Sequence, residues 1–194
     1  MRVIAGQYGG RKLRTLSGLD TRPTSDRLRE TLFNVLAPRI GGCAFLDLCA
    51  GSGAVGIEAL SRGATSLVSV EHSGRACGVI KENLKLLGLS ADAEILNRDV
   101  ISAVRYLAEN AAKFDIIYLD PPYDSDLYSH AITMIRGGRL LSDEGILVVE
   151  HRTKNALAPD YGELVKYREI RQGDSAIAFY EARPSGPPMD SDRK

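Results

Sequence analysis

Five short apolar runs alternate with helix-length segments between residues 44 and 150, and this alternation restricts the fold more than any other feature of the chain. The runs are Ala44–Leu48, Ser66–Glu71, Ala93–Leu96, Phe114–Leu119 and Gly145–Glu150. Between them lie segments reaching to about Arg62, then Gly74–Leu87, Ile101–Ala112 and Ser125–Ile135. In Gly74–Leu87, the residues Ala76, Val79, Ile80, Leu84 and Leu87 fall at helical spacing, and Gly88 marks the stop. Strand followed by helix, repeated, builds parallel strands with crossovers covering both faces of a sheet. Leu164–Arg171 and Ser175–Ala182 flank Gln172-Gly173-Asp174 and predict an antiparallel hairpin at the far edge. The expected fold is α/β, a Rossmann-like, doubly wound and mainly parallel seven-stranded sheet closed by that C-terminal hairpin.

The turn after the first run carries chemistry. Asp47-Leu48-Cys49-Ala50-Gly51-Ser52-Gly53-Ala54-Val55-Gly56 is a Gly-x-Gly-x-x-Gly pattern at a strand-to-helix junction, the setting of a nucleotide-type cofactor site. Gly51 and Gly53 let the backbone turn tightly and approach a ligand. Asp47 at the strand end would repel a pyrophosphate and suits a cationic ligand such as an amino-acid ammonium, which tilts the reading from a dinucleotide towards S-adenosylmethionine. Glu71 follows Gly51 by twenty positions, the separation at which an acid takes a ribose diol; the plain alternative is a surface Glu at a strand end. Asp99, with Val100 beside it, ends the third run and could accept from an adenine amino group.

A second turn, Asp120-Pro121-Pro122-Tyr123, ends the fourth run. The prolines stop the strand and stiffen its end, where open α/β sheets place ligands. Asp120 and the Pro121 carbonyl can each accept an N–H, and the Tyr123 ring can stack on a base, so the cluster suits a flat ring with an exocyclic amine. The plain alternative is a Pro-Pro turn carrying a half-buried tyrosine.

The first 40 residues read differently. Met1–Ala5 and Lys12–Leu16 around Gly6, Gly9 and Gly10 predict a β-hairpin; Thr24 or Ser25 caps a helix to about Leu36, with Leu28, Leu32 and Val35 as its apolar stripe. The net charge of zero hides an excess of five positive charges before residue 40. Arg11, Lys12, Arg14, Arg22, Arg27 and Arg29 there predict contacts with a polyanion, the alternative being a solvated charged face; residues 20–30 could also form a lid. Three cysteines without a Cys-x-x-Cys, and histidines without ligand spacing, predict neither a structural zinc nor a disulfide framework, which fits a reducing cytoplasm. Apolar content of 44% without a membrane-length run or a signal-type N-terminus predicts a soluble domain over 1–182; residues 183–194 have the composition of a disordered tail.

Taken together, the acid-bearing glycine turn, Glu71, Asp99 and Asp120-Pro121-Pro122-Tyr123 resemble class I S-adenosylmethionine-dependent methyltransferases acting on exocyclic amino nitrogens. Arg2-Val3-Ile4-Ala5-Gly6…Gly10-Arg11 and Arg22-Pro23-Thr24…Asp26-Arg27…Arg29-Glu30…Leu32-Phe33-Asn34 are similar, more narrowly, to the bacterial 16S ribosomal RNA guanine-N2 methyltransferase family of the RsmD type. The resemblance implies S-adenosylmethionine as cofactor. Gly51 and Gly53 would lie along its methionine part, Asp47 near its ammonium, Glu71 on the ribose and Asp99 with Val100 at the adenine. It also implies a guanine flipped beside Tyr123, with Asp120, Pro121, Pro122 and Tyr123 forming the catalytic turn and the basic N-terminus holding 16S rRNA in the small subunit or an assembly intermediate. A DNA adenine-N6 methyltransferase, a non-catalytic RNA-binding or assembly protein and a nicotinamide-dependent dehydrogenase remain as alternatives.

Overall fold

A computed structural model describes residues 1–15, 25–121 and 125–183, with 125 and 126 described by backbone alone. Its elements run α1 (Asp26–Leu36), β1 (Ala44–Leu48), α2 (Ala54–Ser61), β2 (Ser66–Glu71), α3 (Gly74–Leu87), β3 (Ala93–Asn97), α4 (Val100–Glu109), β4 (Phe114–Leu119), α5 (Ser125–Gly137), β5 (Leu141–Arg152), β6 (Asp160–Tyr161), β7 (Leu164–Gln172) and β8 (Ser175–Ala182). They form one eight-stranded sheet in the order β3-β2-β1-β4-β5-β8-β7-β6. The five strands from β3 to β5 are parallel, and β8, β7 and β6 continue antiparallel. The extra strand relative to the expected seven is the two-residue β6, too short to carry a pattern of its own. The strand order reverses between β1 and β4, so the carboxyl ends of these neighbours open the crevice where such sheets bind ligands.

Alternation along the strands divides the core. Phe45, Tyr118, Val148 and Phe179 face α1, α2 and α3, while Leu46, Ile117, Val149 and Tyr180 face α4 and α5. Parity places Asp47, Asp120 and Glu150 on the first face, at the carboxyl edge. No helix among the described residues is long and apolar enough to cross a membrane.

Two readings of the N-terminus need correction. The hairpin strands reduce to one bridge, Arg2 with Lys12, supported by Val3 N donating to Arg11 O and Gly10 N to Val3 O; the next N–H groups, those of Ile4 and Ala5, go to the Glu58 carboxylate instead of a ladder partner. In α1, Ser25 caps as expected, its Oγ accepting from Leu28 N at 3.2 Å. The buried face, however, is Leu28, Arg29, Leu32, Phe33 and Leu36, with Val35 only partly buried. The helix lies flat on the core and buries two adjacent rows instead of one. The predicted tail from residue 184 onward and residues 20–24 of the candidate lid lie outside the described residues, while residues 25–30 form the cap and first turn of α1.

Candidate active site

β1 delivers Asp47 to the crevice almost fully buried, at 1% exposure. Its Oδ2 accepts from the Gly56 N–H at 3.0 Å, while Oδ1 has no hydrogen-bond partner among the described residues. Burial pushes this carboxyl up to about 7; the Gly56 N–H opposes the rise and the charge of Glu71 adds to it. A Cβ on Gly56 would sit 2.6 Å from Leu67 Cδ1 and 3.3 Å from Asp47 Oδ2, so the third glycine of the motif lets α2 start against the acid. Cys49 takes φ 68° at the corner, a left-handed value strained for a residue with a Cβ, and Gly51 and Gly53 follow at 58° and 79°, which glycine adopts without strain. Half-buried in that bend and facing Asp120, Glu71 and Asp47, the Cys49 thiol is held well above its usual range, first by burial and then by those charges.

Glu71 ends β2 and spans two backbone donors: Gly51 N to Oε2 at 2.9 Å and Ser73 N to Oε1 at 2.8 Å. It therefore locks the glycine turn to the start of α3; His72 Nδ1 lies 3.0 Å from Oε1 as well, and Oε2 retains a second lone pair for a ligand hydroxyl. Asn97 fastens the same corner, donating to the carbonyls of Glu71 and His72 at 3.0 and 2.9 Å. Asp99 is the N-cap of α4, accepting from Ser102 N at 2.9 Å and Ser102 Oγ at 2.7 Å, which holds its carboxyl below the usual range. The expected adenine acceptor thus already has a structural task, and Val100 is buried in the core behind it.

Asp120 stands one residue beyond β4, its N–H on the carbonyl of Leu48 at 3.3 Å. The proline turn is thereby tied to the strand that leads into the glycine turn. Beside it on β5, Glu150 is 8% exposed and accepts from the Tyr118 hydroxyl at 2.5 Å. Burial raises the Asp120 carboxyl well above its ordinary value, and the charges of Glu150 and Asp47 raise it further. Pro121 is buried, and its carbonyl receives the Tyr128 hydroxyl in a long contact of 3.5 Å, leaving a second lone pair. Three carboxyls on adjacent strands, backed by a left-handed turn, make a site for a ligand that is cationic or rich in N–H donors.

The family model described as Conserved hypothetical protein 95 matches residues 1–181. The chain belongs to that family. It is 35% identical over 186 residues to the ribosomal RNA small subunit methyltransferase D of Escherichia coli (strain K12), covering 96% of this chain and 92% of that one. The protein of the same name from Haemophilus influenzae is 36% identical over 86% of both chains. Among solved structures, yhhF from Escherichia coli superposes with a TM-score of 0.83 at 36% identity, covering 94% of this chain and 97% of that one. The Thermus thermophilus protein TTHA0928 gives 0.79 at 28% identity, covering 94% and 99%.

The family match takes in the N-terminal arm, which the structure fastens to the site. Glu58 of α2, fully buried, accepts from Ile4 N at 2.7 Å, Ala5 N at 3.0 Å and Arg62 Nε at 2.7 Å. Ser61 donates its hydroxyl to Ala5 O at 2.6 Å and accepts from Tyr8 N at 3.0 Å. Arg11, Lys12, Arg14 and Arg27 are exposed, as a polyanion contact requires. Arg29 is corrected: its side chain is fully buried, Nη2 donates to the carbonyl of Arg2 and meets Asp26 at 3.2 Å, and no phosphate can reach it. Burial holds its proton affinity below that of a free guanidinium, with Glu58, Asp26 and Tyr118 opposing. Arg22, Pro122 and Tyr123 lie outside the described residues. Sequence reading missed Glu150, although the rule that led to Asp120 — an acid at the carboxyl end of a core strand — applies to it equally. It also missed Glu58 and Asn83, whose partners lie 53 and 69 residues away.

Proposed function

We propose that this protein transfers a methyl group from S-adenosylmethionine to the exocyclic N2 of a guanine in small-subunit (16S) ribosomal RNA. The observation that carries the reading is the hydrogen bond from Asp120 to Leu48. It sets the proline turn beside the glycine turn on neighbouring strands, spaced about 4.8 Å apart. The names of the relatives over nearly the whole chain support RNA as the substrate.

The residues present fit the cofactor. The buried Oδ1 of Asp47, without a partner among the described residues, matches an ammonium group. Glu71 matches a ribose diol, and Gly51 has open space where a Cβ would stand. When bound, S-adenosylmethionine supplies an electrophilic methyl on a positively charged sulfur. The protein's part is positioning. A guanine N2 lone pair is delocalised into the ring and attacks poorly. Asp120 and the Pro121 carbonyl each accept one N2–H, which favours a more pyramidal nitrogen and holds it in line. A cation among three carboxyls favours their ionised forms. The same crowding of negative charge suits Asp120 to take the proton that the amine loses. No covalent enzyme intermediate is needed. Arg11, Lys12, Arg14 and Arg27 hold phosphates of the RNA, which is recognised as assembled subunit or an assembly intermediate.

The test is purified protein with labelled S-adenosylmethionine and rRNA or small subunits from a strain lacking the enzyme. Label on N2 of one guanine is expected, and no label on either substrate overturns the proposal. Nucleoside analysis of the product separates N2-methylguanine from N6-methyladenine, the product of a DNA-directed enzyme.

A further inference from the structure

Asn83 sits on α3, fully buried, far in sequence from every group it binds. Its Oδ1 accepts from Arg14 N at 2.8 Å, and its Nδ2 donates to Arg14 O at 3.1 Å and Ser52 O at 3.0 Å. An amide side chain has two N–H donors and one carbonyl, and here all are used between two segments that otherwise belong to different parts of the site. One is the second half of the basic arm. The other is the Ser52 carbonyl, between the two left-handed glycines of the cofactor turn.

That carbonyl matters because the Ser52–Gly53 peptide borders a glycine in the left-handed region and can rotate at low cost. Gly53 N donates to Ala50 O at 2.8 Å, and Asn83 holds the other end of the same peptide unit. Removing Asn83 frees that end and releases both polar groups of Arg14 in one step. The arm meets the turn elsewhere too, where Ser52 Oγ lies 3.4 Å from Met1 Sδ. The Arg14 guanidinium, exposed and paired with Glu82 at 2.8 Å, lies on the outer side of this junction, where a phosphate would compete for it.

We infer that Asn83 is a positioning residue that couples the RNA-binding arm to the cofactor turn, so that filling either site orders the other. The RNA side of this rests on the proposed function; the arm-to-turn coupling does not. Linkage makes the effect reciprocal, and couplings of this kind are typically about 5- to 150-fold.

The experiment has one arm without RNA and one with it. In the first, hydrogen exchange at the amides of Val3, Gly10, Leu13 and Arg14 is measured with and without saturating S-adenosylhomocysteine. All four amides donate to groups within the N-terminal arm or to Asn83. The wild type is expected to slow about tenfold on binding. In Asn83→Ala the slowing should vanish while α2 and the sheet keep their protection. Asn83→Asp retains the acceptor for Arg14 N and loses both donors, so it keeps the shape and decides the matter if the alanine variant does not fold. In the second arm, the affinity for S-adenosylhomocysteine is measured with and without an rRNA fragment. A tightening of about tenfold in the wild type should fall below twofold in the variants. N-terminal amides that slow equally in wild type and Asn83→Asp, or that do not respond in the wild type, overturn the coupling. A failed methylation assay beside a positive exchange result removes the RNA reading and leaves the coupling standing.

Discussion

Asp47 is held as a buried acid at a cost in stability, and the cost has a pH signature. Its carboxyl rises from an ordinary 3.8 to about 7, mainly because burial penalises the charge. The folded protein therefore binds this proton more tightly than the unfolded chain does. Stability from this group is intact below pH 4 and declines as pH rises from about 4 to 7, after which the loss is complete. Integrating between pH 5 and pH 8 with these two values gives a loss of about 2–3 kcal/mol that an uncharged residue would not suffer. In an Asp47→Asn variant the amide oxygen can still accept from Gly56 N, although the amide nitrogen is left without an acceptor. That fixed penalty cancels when one variant is compared with itself at two pH values. Urea unfolding of wild type and Asp47→Asn at pH 5, 6, 7 and 8 should show the variant gaining about 2–3 kcal/mol on the wild type across the range. Saturating S-adenosylhomocysteine should flatten the wild-type curve, because an ammonium beside Oδ1 holds the carboxylate ionised, and should not flatten the variant's. A difference between the two proteins that stays constant from pH 5 to 8 would refute the argument that Asp47 titrates in the fold.

Asp120→Ala should lower kcat by at least about 100-fold and leave S-adenosylhomocysteine affinity within about threefold, since its task is at the amine; equal loss of both in calorimetry and single-turnover assays would give it a structural role instead. Charge reversal at Arg11, Lys12 and Arg14 should weaken RNA binding and flatten its salt dependence by about one unit of slope for each phosphate no longer neutralised; filter binding across a salt series that finds no change would take the arm out of recognition. In Gly6→Ala the new Cβ would lie 1.9 Å from the Ser61 carbonyl oxygen at a φ of 80°, so the arm must lift from α2. We expect a loss of about 3 kcal/mol and rapid limited proteolysis within residues 1–15, with an unchanged proteolysis pattern as the contrary result.

The alternation of strand and helix, the parallel order of the first five strands and the acids at their carboxyl ends were legible in the chain. Each is a local property: a period of two or 3.6 and a turn residue at a fixed offset need no knowledge of distant neighbours. Asp47, Glu71, Asp99 and Asp120 all stand at or just beyond strand ends for that reason. Which atoms those acids bind was another matter. Asp99 caps α4 and Glu71 ties two turns together, because the nearest unsatisfied backbone N–H groups decide where a carboxylate settles. Arg29 has the composition of a phosphate contact and the position of a core residue, since α1 lies flat and buries two rows. Glu58 and Asn83 carry no sequence signature at all: their bonds join segments 53 and 69 residues apart. Local pattern determined which elements exist and where their ends carry charge. Only the packed molecule decided which polar groups meet inside, because a buried donor takes whatever acceptor the folded chain brings within reach.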